Sequence, residues 1–399
     1  MAETIKIING KVLTSYRLLE EAVLLIKEGE ITYIGNSELV ESVDAEIIDA
    51  RGQYVSPGFI DIHVHGGGGH DFMDGSTECF LQAAECHARY GTTAMNPTTL
   101  TSEREGLFKT LQLYEEANRL NTKGAKFLGM HLEGPYFAMS QRGAQHPKYI
   151  RNPDPSEYKE VVQRYGDSIS RWSAAPELPG ALDFAKYIRE QGIRVALAHT
   201  DAIYEEVLPA MEAGYSLATH LYSGMSGVSR REAFRYAGVI ESAFLLDEMD
   251  VEIIVDGIHL PASLLKLIYK IKGPDRIALI TDAMRGAGMP PGESVLGNIK
   301  EGLKVIVEDG VAKLPDKSAF AGSVATTNLL IKNMIQLADV PIVEAVRMMS
   351  LTPARIMGVD GKKGSIAQGK DADIVFFNED LQVSLTMIEG EIVHQSDPA

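Results

Sequence analysis

The chain has 399 residues, 45% of them hydrophobic, which is the composition of a globular protein able to bury a large core. It carries 38 basic and 55 acidic residues, and the net charge of −17 argues against nucleic acid or an anionic membrane surface as a partner. No apolar stretch reaches the roughly 18 residues of a membrane-spanning helix, and residues 1–10 do not resemble a signal peptide, so we expect a cytoplasmic protein.

Both ends of the chain are rich in short predicted strands. Apolar or alternating runs separated by tight turns fill residues 4–55, and the same pattern returns in residues 364–395. We therefore predict a small β-sandwich domain built from both termini, residues 1–57 plus 358–399.

The middle of the chain alternates short apolar runs with stretches of helical spacing, such as 104–120 and 262–272. The eight predicted strands are 59–65, 92–99, 126–134, 169–177, 194–200, 216–222, 251–259 and 276–283. Eight strand–helix units in succession predict an α/β fold, a (β/α)8 TIM barrel over residues 58–357. In such a barrel the active site lies at the C-terminal ends of the strands.

His63 and His65 lie two positions apart at the end of the first predicted strand, FIDIHVH. Alternate residues of a strand point to the same face, so both imidazoles can reach one point. Four further imidazole or carboxylate side chains end later strands: Glu133, His199, His220 and Asp282. These donor types suit Zn²⁺, Fe²⁺, Mn²⁺ or Co²⁺. A single histidine in such a position is more often structural, but the repeated pattern predicts a metal centre.

The motifs that carry these residues resemble those of the amidohydrolase superfamily, and within it the N-acetylglucosamine-6-phosphate deacetylases. The resemblance covers nearly the whole chain, through the motifs YVSPGFIDIHVHGGGG, GMHLEGPYF, ALAHTDA, THLYSGMSG, VDGIHL, ITDAM, AFAGSVATT, LTPARIMG and GSIAQGKDADIVFF. It implies a metal-dependent hydrolase of a linear amide C–N bond, which converts N-acetyl-D-glucosamine 6-phosphate to D-glucosamine 6-phosphate and acetate. Such an activity serves amino-sugar catabolism and the recycling of cell-wall sugars.

The resemblance implies a ligand set for the metal. Glu133, His199 and His220 match the main ligands of the family, whereas His63 and His65 match a pair that some members keep and others replace. Where the pair is present, a second ion can bind, with Glu133 shared between the two. We therefore expect one or two divalent ions per subunit, Zn²⁺ or Fe²⁺ before Mn²⁺ or Co²⁺.

Two residues are catalytic candidates by the same resemblance. Asp282 matches the acid/base of the family, because a carboxylate can take a proton from water and return it to the departing amine. An N-cap role for Asp282 is the alternative. His259 matches a residue that hydrogen-bonds the substrate near the reacting amide, and a structural histidine is the alternative there.

The resemblance also implies a set of substrate-binding residues: Ala144, Gln145, Ser223, Gly224, Arg231, His259, Phe320, Ala321 and Gly322. Within the loop RGAQHP, either Gln145 or His146 is expected to contact the substrate. Ser223 and Gly224 stand where the family commonly has Asn-Ala and binds the sugar phosphate through backbone groups.

Two loops are expected to complete the site. Arg231 matches a phosphate-binding arginine that reaches into the site of a neighbouring subunit, so a homodimer is expected, and Arg230 is an alternative for this role. The loop FAGS, residues 320–323, is expected to close over the acetyl group. There Phe320 and Ala321 would form an apolar wall for the methyl group.

Three alternatives compete with this function. The first is the same reaction on the galactosamine epimer, which needs only small changes around one hydroxyl. The second is a cyclic amidase such as a dihydroorotase, against which the glutamate in place of a bridging lysine argues. The third is a non-enzymatic sugar-phosphate sensor, which would be expected to have lost some of the ligand and acid/base residues.

Four other histidines are predicted to be structural: His70, His87, His131 and His394. His131 is two residues from Glu133 and therefore shares its strand face. It is the strongest alternative metal ligand among the four.

Overall fold

The computed structural model describes residues 4–396, in which strands from both chain ends form two sheets. One sheet has the strand order Glu30–Asn36, Ala22–Lys27, Ile5–Ile8 and Glu46–Asp49. The other has the order Glu391–Gln395, Val383–Ile388, Ile374–Phe377, Tyr54–Pro57, Lys11–Leu13 and Leu18–Leu19. The N-terminal and C-terminal segments pair directly, because Tyr54–Pro57 runs antiparallel to Ile374–Phe377.

The terminal sheets share an apolar core. Its buried side chains come from both ends of the chain, and they include Ile7, Val12, Leu24, Ile26, Ile31, Val55, Ile374, Phe376, Leu385 and Met387. Alternate residues of each strand face inward, which explains the alternating or apolar runs seen in the sequence.

Eight parallel strand positions follow one another in a curled sheet in the middle of the chain. They are formed by Phe59–Val64, Thr92–Pro97, Lys126–Phe127 with Met130–Glu133, Ile169–Ala174, Arg194–Leu197, Tyr215–Ala218, Asp250–Ile254 and Ile277–Ile280. Parallel bridges between Thr98 and His131, and between Val64 and Ala283, close the ring of strands. The predicted mixed α/β chain with a parallel sheet is confirmed.

The helices cover the outside of this sheet, so its strands are buried on both faces and read as apolar runs. The α-helices are Thr77–Ala88, Arg104–Leu120, Pro155–Tyr165, Ala181–Glu190, Tyr204–Ala213, Val239–Leu245, Ala262–Lys272, Thr327–Ala338, Ile342–Met349 and Leu351–Met357. Short 3₁₀ segments are Ser37–Val40, Met139–Gln141, Pro147–Tyr149 and Gly166–Ser168. Within residues 4–396, no helix has both the length and the apolar character needed to span a membrane.

Most of the predicted strands extend too far at their C-terminal ends. The strand predicted over 194–200 ends at Leu197, and the one predicted over 216–222 ends at Ala218. The chain leaves the extended conformation there because His199 and His220 have positive φ angles, +46° and +34°. The strand predicted over 126–134 is also interrupted, at residues 128–129.

Three antiparallel additions were not predicted, and the smallest is a pair of two-residue strands, Gly66–Gly67 and His70–Asp71. A four-stranded sheet consists of Gly292–Leu296, Leu303–Glu308, Val311–Lys313 and Phe320–Ser323, and a hairpin consists of Ser229–Arg231 and Phe234–Tyr236. The FAGS segment is therefore a strand rather than the predicted loop. It joins the parallel sheet through a bridge between Ser323 and Ala283.

The assignment of the terminal apolar core can be tested by measuring the free energy of unfolding. Leu24 is fully buried in it, whereas Leu39 is 78% exposed on the same terminal region. We expect Leu24→Ala to lower the free energy of unfolding by about 2–5 kcal/mol, since it leaves a cavity. The matched control Leu39→Ala should change it by less than about 0.5 kcal/mol. Urea unfolding of both variants checks this, and equal losses would contradict the assignment of the core.

Candidate metal centre and active site

At three of the strand ends the backbone turns sharply, at a residue of the candidate site. His199, His220 and Asp282 all have positive φ, a conformation that few residues other than glycine adopt. Asp282 is held in it by its backbone, since its N–H donates to the His63 carbonyl at 2.9 Å and its carbonyl accepts from Ser323 N–H at 2.8 Å. The turns direct the three side chains inward.

Glu133 is the centre of the cluster and is 98% buried. Its Oε1 lies 3.0 Å from His220 Nε2 and 3.2 Å from His199 Nε2. Its Oε2 lies 3.5 Å from His65 Nε2 and accepts a 2.7 Å hydrogen bond from Gln145 Nε2. The two carboxylate oxygens thus face two different sets of side chains.

The H-x-H pair lies beside Glu133, as the strand alternation predicts. The Nε2 atoms of His63 and His65 are 3.3 Å apart, and Asp282 Oδ1 lies 3.4 Å and 3.1 Å from them. His63 Nε2 is also 3.7 Å from Glu133 Oε1. His63 therefore lies between the two sets of donors.

This arrangement of donors fits divalent metal ions. Two ligands that are each about 2.1 Å from a tetrahedral ion lie about 3.4 Å apart, close to the separations observed here. Two overlapping groups have ligand atoms within 4.8 Å of one another, His63 with His65 and Asp282, and His63 with Glu133 and His220. Imidazole nitrogen and carboxylate oxygen are the ligand types that Zn²⁺ and Fe²⁺ accept.

The imidazoles of His199 and His220 are oriented by backbone carbonyls. His199 Nδ1 lies 2.8 Å from the Gln141 carbonyl oxygen, and His220 Nδ1 lies 3.1 Å from that of Ser223. If each Nδ1 donates its proton, the Nε2 lone pair is left facing Glu133, which is how metal-binding histidines are usually held.

The charges of the cluster support one another. Burial opposes ionisation of Glu133, but His63, His199 and His220 hold its pKa well below the ordinary value. Burial likewise disfavours the charged form of Asp282, yet His63 and His65 keep its pKa below the ordinary value. Asp282 is therefore ionised at neutral pH, and its carboxylate can accept a proton.

His259 faces the same region and is fixed by a residue that the sequence analysis missed. Asp256 Oδ2 lies 2.7 Å from His259 Nδ1, and Asp256 Oδ1 accepts the backbone N–H of His259 at 2.8 Å. The His259 ring packs against Phe320, with ring centroids 4.7 Å apart. An aspartate three residues before a candidate histidine was the available signal.

A cavity of about 320 Å³ opens over these groups. Most of the predicted site residues line it: His65, Glu133, Ala144, Gln145, His199, His220, Ser223, Gly224, His259, Asp282, Phe320 and Gly322. Further lining residues were not predicted: Leu100, Gly143, Tyr222, Leu296 and Ala319. Gly224 permits a close approach, because a Cβ there would lie 2.7 Å from His199 Nδ1.

Gln145 lines the cavity, but much of its amide is already engaged. Its Nε2 donates to Glu133, and its Oε1 accepts from Thr101 N–H at 2.9 Å. Its neighbour His146 lines an adjoining cavity instead. Of the two side chains, Gln145 is the one hydrogen-bonded to Glu133.

Ala321 does not lie where the sequence analysis expected it. Its side chain packs in a separate apolar cluster with Met284, Leu296 and Val305, while Phe320 and Gly322 line the cavity. Residues 320–323 form a strand, so consecutive side chains point to opposite faces. Of these two side chains, Phe320 lines the cavity and Ala321 does not.

Arg231 does not reach the cavity of its own chain. It lies exposed on the hairpin, with its guanidinium 5.3 Å from the centre of the Tyr236 ring. Arg230 is exposed on the same strand. The expected role of Arg231 therefore requires a second subunit.

His131 lies beneath the cluster rather than in it. Its Nε2 is 2.6 Å from Ser173 Oγ and its Nδ1 is 3.2 Å from Thr98 Oγ1. Its ring packs edge-on against His63, with centroids 4.7 Å apart. Both ring nitrogens are used within the sheet, which agrees with the structural role predicted for His131.

A buried ion pair below the cluster was also missed. Arg171 and Glu252 are both fully buried, and Glu252 Oε2 lies 3.5 Å from His63 Nδ1. Burial works against ionisation of Glu252, but Arg171 and His63 hold its pKa below the ordinary value. The signal in the sequence was a charged residue inside each of two predicted strands, Arg171 in ISRWSA and Glu252 in VEIIV.

Comparison with known proteins places the chain in a family. The sequence profile of the amidohydrolase family matches residues 54–393, most of the chain. The chain belongs to the amidohydrolase family. The predicted resemblance is confirmed, and the divalent-metal dependence general in this family agrees with the donor cluster.

Two curated relatives and one solved structure are similar over nearly the whole chain. The N-acetylglucosamine-6-phosphate deacetylase of Lysinibacillus sphaericus is 33% identical over 380 residues, 95% of each chain. The N-acetylgalactosamine-6-phosphate deacetylase of Escherichia coli O157:H7 is 32% identical and covers 96% of this chain and 97% of its own. A mutant N-acetyl-D-glucosamine-6-phosphate deacetylase from Mycobacterium smegmatis, solved with N-acetyl-D-glucosamine-6-phosphate, superposes with a TM-score of 0.89 at 29% identity, over 98% of this chain and 100% of its own.

The two faces of Glu133 predict a metal count. We expect the purified protein to bind two divalent ions per chain and His65→Ala to bind one, because the variant removes a donor on the Oε2 side only. His394→Ala, which changes a histidine remote from the cluster, should retain both. Elemental analysis after dialysis against Zn²⁺ measures this, and two ions in His65→Ala would refute the assignment.

Proposed function

We propose that this amidohydrolase removes the acetyl group of N-acetyl-D-glucosamine 6-phosphate, giving D-glucosamine 6-phosphate and acetate. The observation that carries the proposal is a single cavity lined by three candidate metal ligands, Glu133, His199 and His220, together with Asp282 and His259. The names of the curated relatives support the same substrate.

Metal binding belongs to the proposal. Glu133, His199 and His220 would hold one ion, and His63 and His65 would share Glu133 in holding a second, with Zn²⁺ or Fe²⁺ as the preferred metal and Mn²⁺ or Co²⁺ as alternatives. When bound, a divalent ion polarises an amide carbonyl and makes water a better proton donor.

Asp282 performs the proton transfers in this proposal. Its ionised carboxylate accepts a proton from the attacking water as the new C–O bond forms. It then donates that proton to the amide nitrogen as the C–N bond breaks, so the amino sugar leaves as a neutral amine. An amide nitrogen could not leave as an anion at neutral pH.

His259 and Phe320 position the acyl group. Asp256 engages His259 Nδ1, which leaves Nε2 to hydrogen-bond the substrate beside the reacting amide. Phe320 provides an apolar surface for the acetyl methyl group, while backbone groups of Ser223 and Gly224 bind the sugar phosphate. Asp256 thereby acts as a positioning residue.

The architecture that we propose for this site is the (β/α)8 barrel over residues 58–357 with a β-sandwich domain from 1–57 and 358–399. The closed ring of parallel strand positions supports the barrel. The separate apolar core shared by both chain ends supports the sandwich.

A second candidate substrate is the galactosamine epimer, N-acetylgalactosamine 6-phosphate. The Escherichia coli relative named for it is as similar as the glucosamine-specific ones. The two sugars differ in the orientation of one hydroxyl, so the same metal cluster and acid/base serve both. The ratio of kcat/KM for the two epimers decides between them.

The direct test is acetate release by metal-loaded protein. We expect turnover of N-acetyl-D-glucosamine 6-phosphate, with Asp282→Asn lowering kcat by at least about 100-fold, because the proton transfers are lost. Asp309→Asn, an exposed aspartate on a turn, is the matched control and should keep full activity. No acetate from either phosphorylated epimer or from the unphosphorylated sugar would refute the function.

The exposed hairpin gives a second test, of the homodimer. We propose that Arg231 binds the substrate phosphate in the site of the partner subunit, and we expect Arg231→Ala to raise KM at least tenfold. Mixed dimers of Arg231→Ala and Asp282→Asn subunits should regain activity, since one of their two sites then has both residues. A mixture whose activity at low substrate concentration does not exceed the mean of its parents would show that Arg231 does not act across the interface.

A further inference from the structure

A layer of buried polar side chains lies directly beneath the metal-ligand cluster. The residues of this layer come from several neighbouring strands, and they are Thr98, His131, Arg171, Ser173, Thr219 and Glu252. Charged groups are expensive to bury unless they are paired. The single ion pair in this layer, Arg171 with Glu252, therefore calls for an account beyond packing.

The ion pair is held rigidly by its surroundings. The Arg171 guanidinium bonds both oxygens of Glu252, with Nη2 to Oε2 at 2.9 Å. It also donates to Thr219 Oγ1 at 2.7 Å and to the Ile62 carbonyl at 3.3 Å. A two-pronged contact of this kind fixes the plane of the carboxylate. Glu252 therefore has one orientation available to it.

The fixed carboxylate lies against the outer nitrogen of His63. Glu252 Oε2 is 3.5 Å from His63 Nδ1, and this buried nitrogen has no hydrogen-bond partner among residues 4–396. The other nitrogen, His63 Nε2, lies within 3.7 Å of His65, Glu133 and Asp282. His199 and His220 have backbone carbonyls at the corresponding positions, whereas Glu252 is the acceptor that His63 has available.

We propose that Arg171 and Glu252 form a positioning pair for His63. Glu252 accepts a hydrogen bond from the Nδ1–H group of His63, so the lone pair of Nε2 points at the ligand cluster. The pair thereby selects the tautomer and ring orientation that the H-x-H half of the metal centre needs. This inference rests on the metal centre of the proposed function. It deepens that proposal, because it names the residues that orient His63 toward the second ion.

The test is a zinc titration of the full-length protein in which both charges are replaced together. The double variant Arg171→Met with Glu252→Met leaves no charge unpaired, and the two methionine side chains keep the core filled. We expect the second zinc ion to bind about 10- to 100-fold more weakly, with the first unchanged. A merely structural role would weaken both ions or neither. Calorimetry gives the two affinities and the stoichiometry.

The matched control is another buried ion pair, Lys363 with Asp373, whose Nζ and Oδ2 atoms are 3.0 Å apart. Replacing both with Met and Leu should leave both zinc affinities as in the unmodified protein. Should the Arg171 and Glu252 double variant fail to fold, Glu252→Gln takes its place. Its neutral amide oxygen is a weaker acceptor, and we expect the second ion to bind about tenfold more weakly.

Unchanged affinity for two ions in a folded variant would overturn the inference, and so would a single ion in the unmodified protein. Failure of the proposed function is distinguishable. Suppose that the unmodified protein binds two ions, that the double variant binds only the second one more weakly, and that no acetate is released. That result would support the positioning pair and refute the deacetylase activity.

Discussion

The buried carboxylate of Glu133 is the group on which the site depends. A carboxylate removed from water must be compensated by opposite charge or by hydrogen bonds. Here the compensation is divided, since Oε1 faces His199 and His220 while Oε2 faces His65 and Gln145. The parallel sheet must close for these side chains to meet, because they come from strands far apart in the chain.

The other cavity residues are arranged around the two carboxylate oxygens of Glu133. Asp282 lies on the side of the H-x-H pair, within hydrogen-bond distance of His65, so the proposed acid/base and the proposed second ligand set share one region. His259 approaches from the segment after strand Asp250–Ile254, and Phe320 from strand Phe320–Ser323, and their rings are in contact. The geometry therefore places a proton acceptor, ligand donors and an apolar wall around one small space, as acyl hydrolysis requires.

The sequence predicted which imidazole and carboxylate side chains converge, because each of them ends an apolar run, a pattern that can be read locally. It predicted the strand ends poorly, because the positive φ angles at His199 and Asp282 depend on tertiary hydrogen bonds. The prediction for Ala321 failed for a similar reason. The sequence analysis took residues 320–323 for a loop, but they form a strand, in which Ala321 faces away from Phe320 and Gly322. Arg171 and Glu252 stand out as charges inside apolar runs, but they are 81 residues apart and only the closed sheet shows that they pair.

Anomalous diffraction from zinc-loaded crystals, recorded at the zinc absorption edge, tests the two-faced role of Glu133 most directly. We predict two peaks per chain, one beside His199 and His220 and the other beside His63 and His65, with Glu133 in contact with both. If zinc is saturating and Glu133 lies against only one peak, or against none, the account is contradicted.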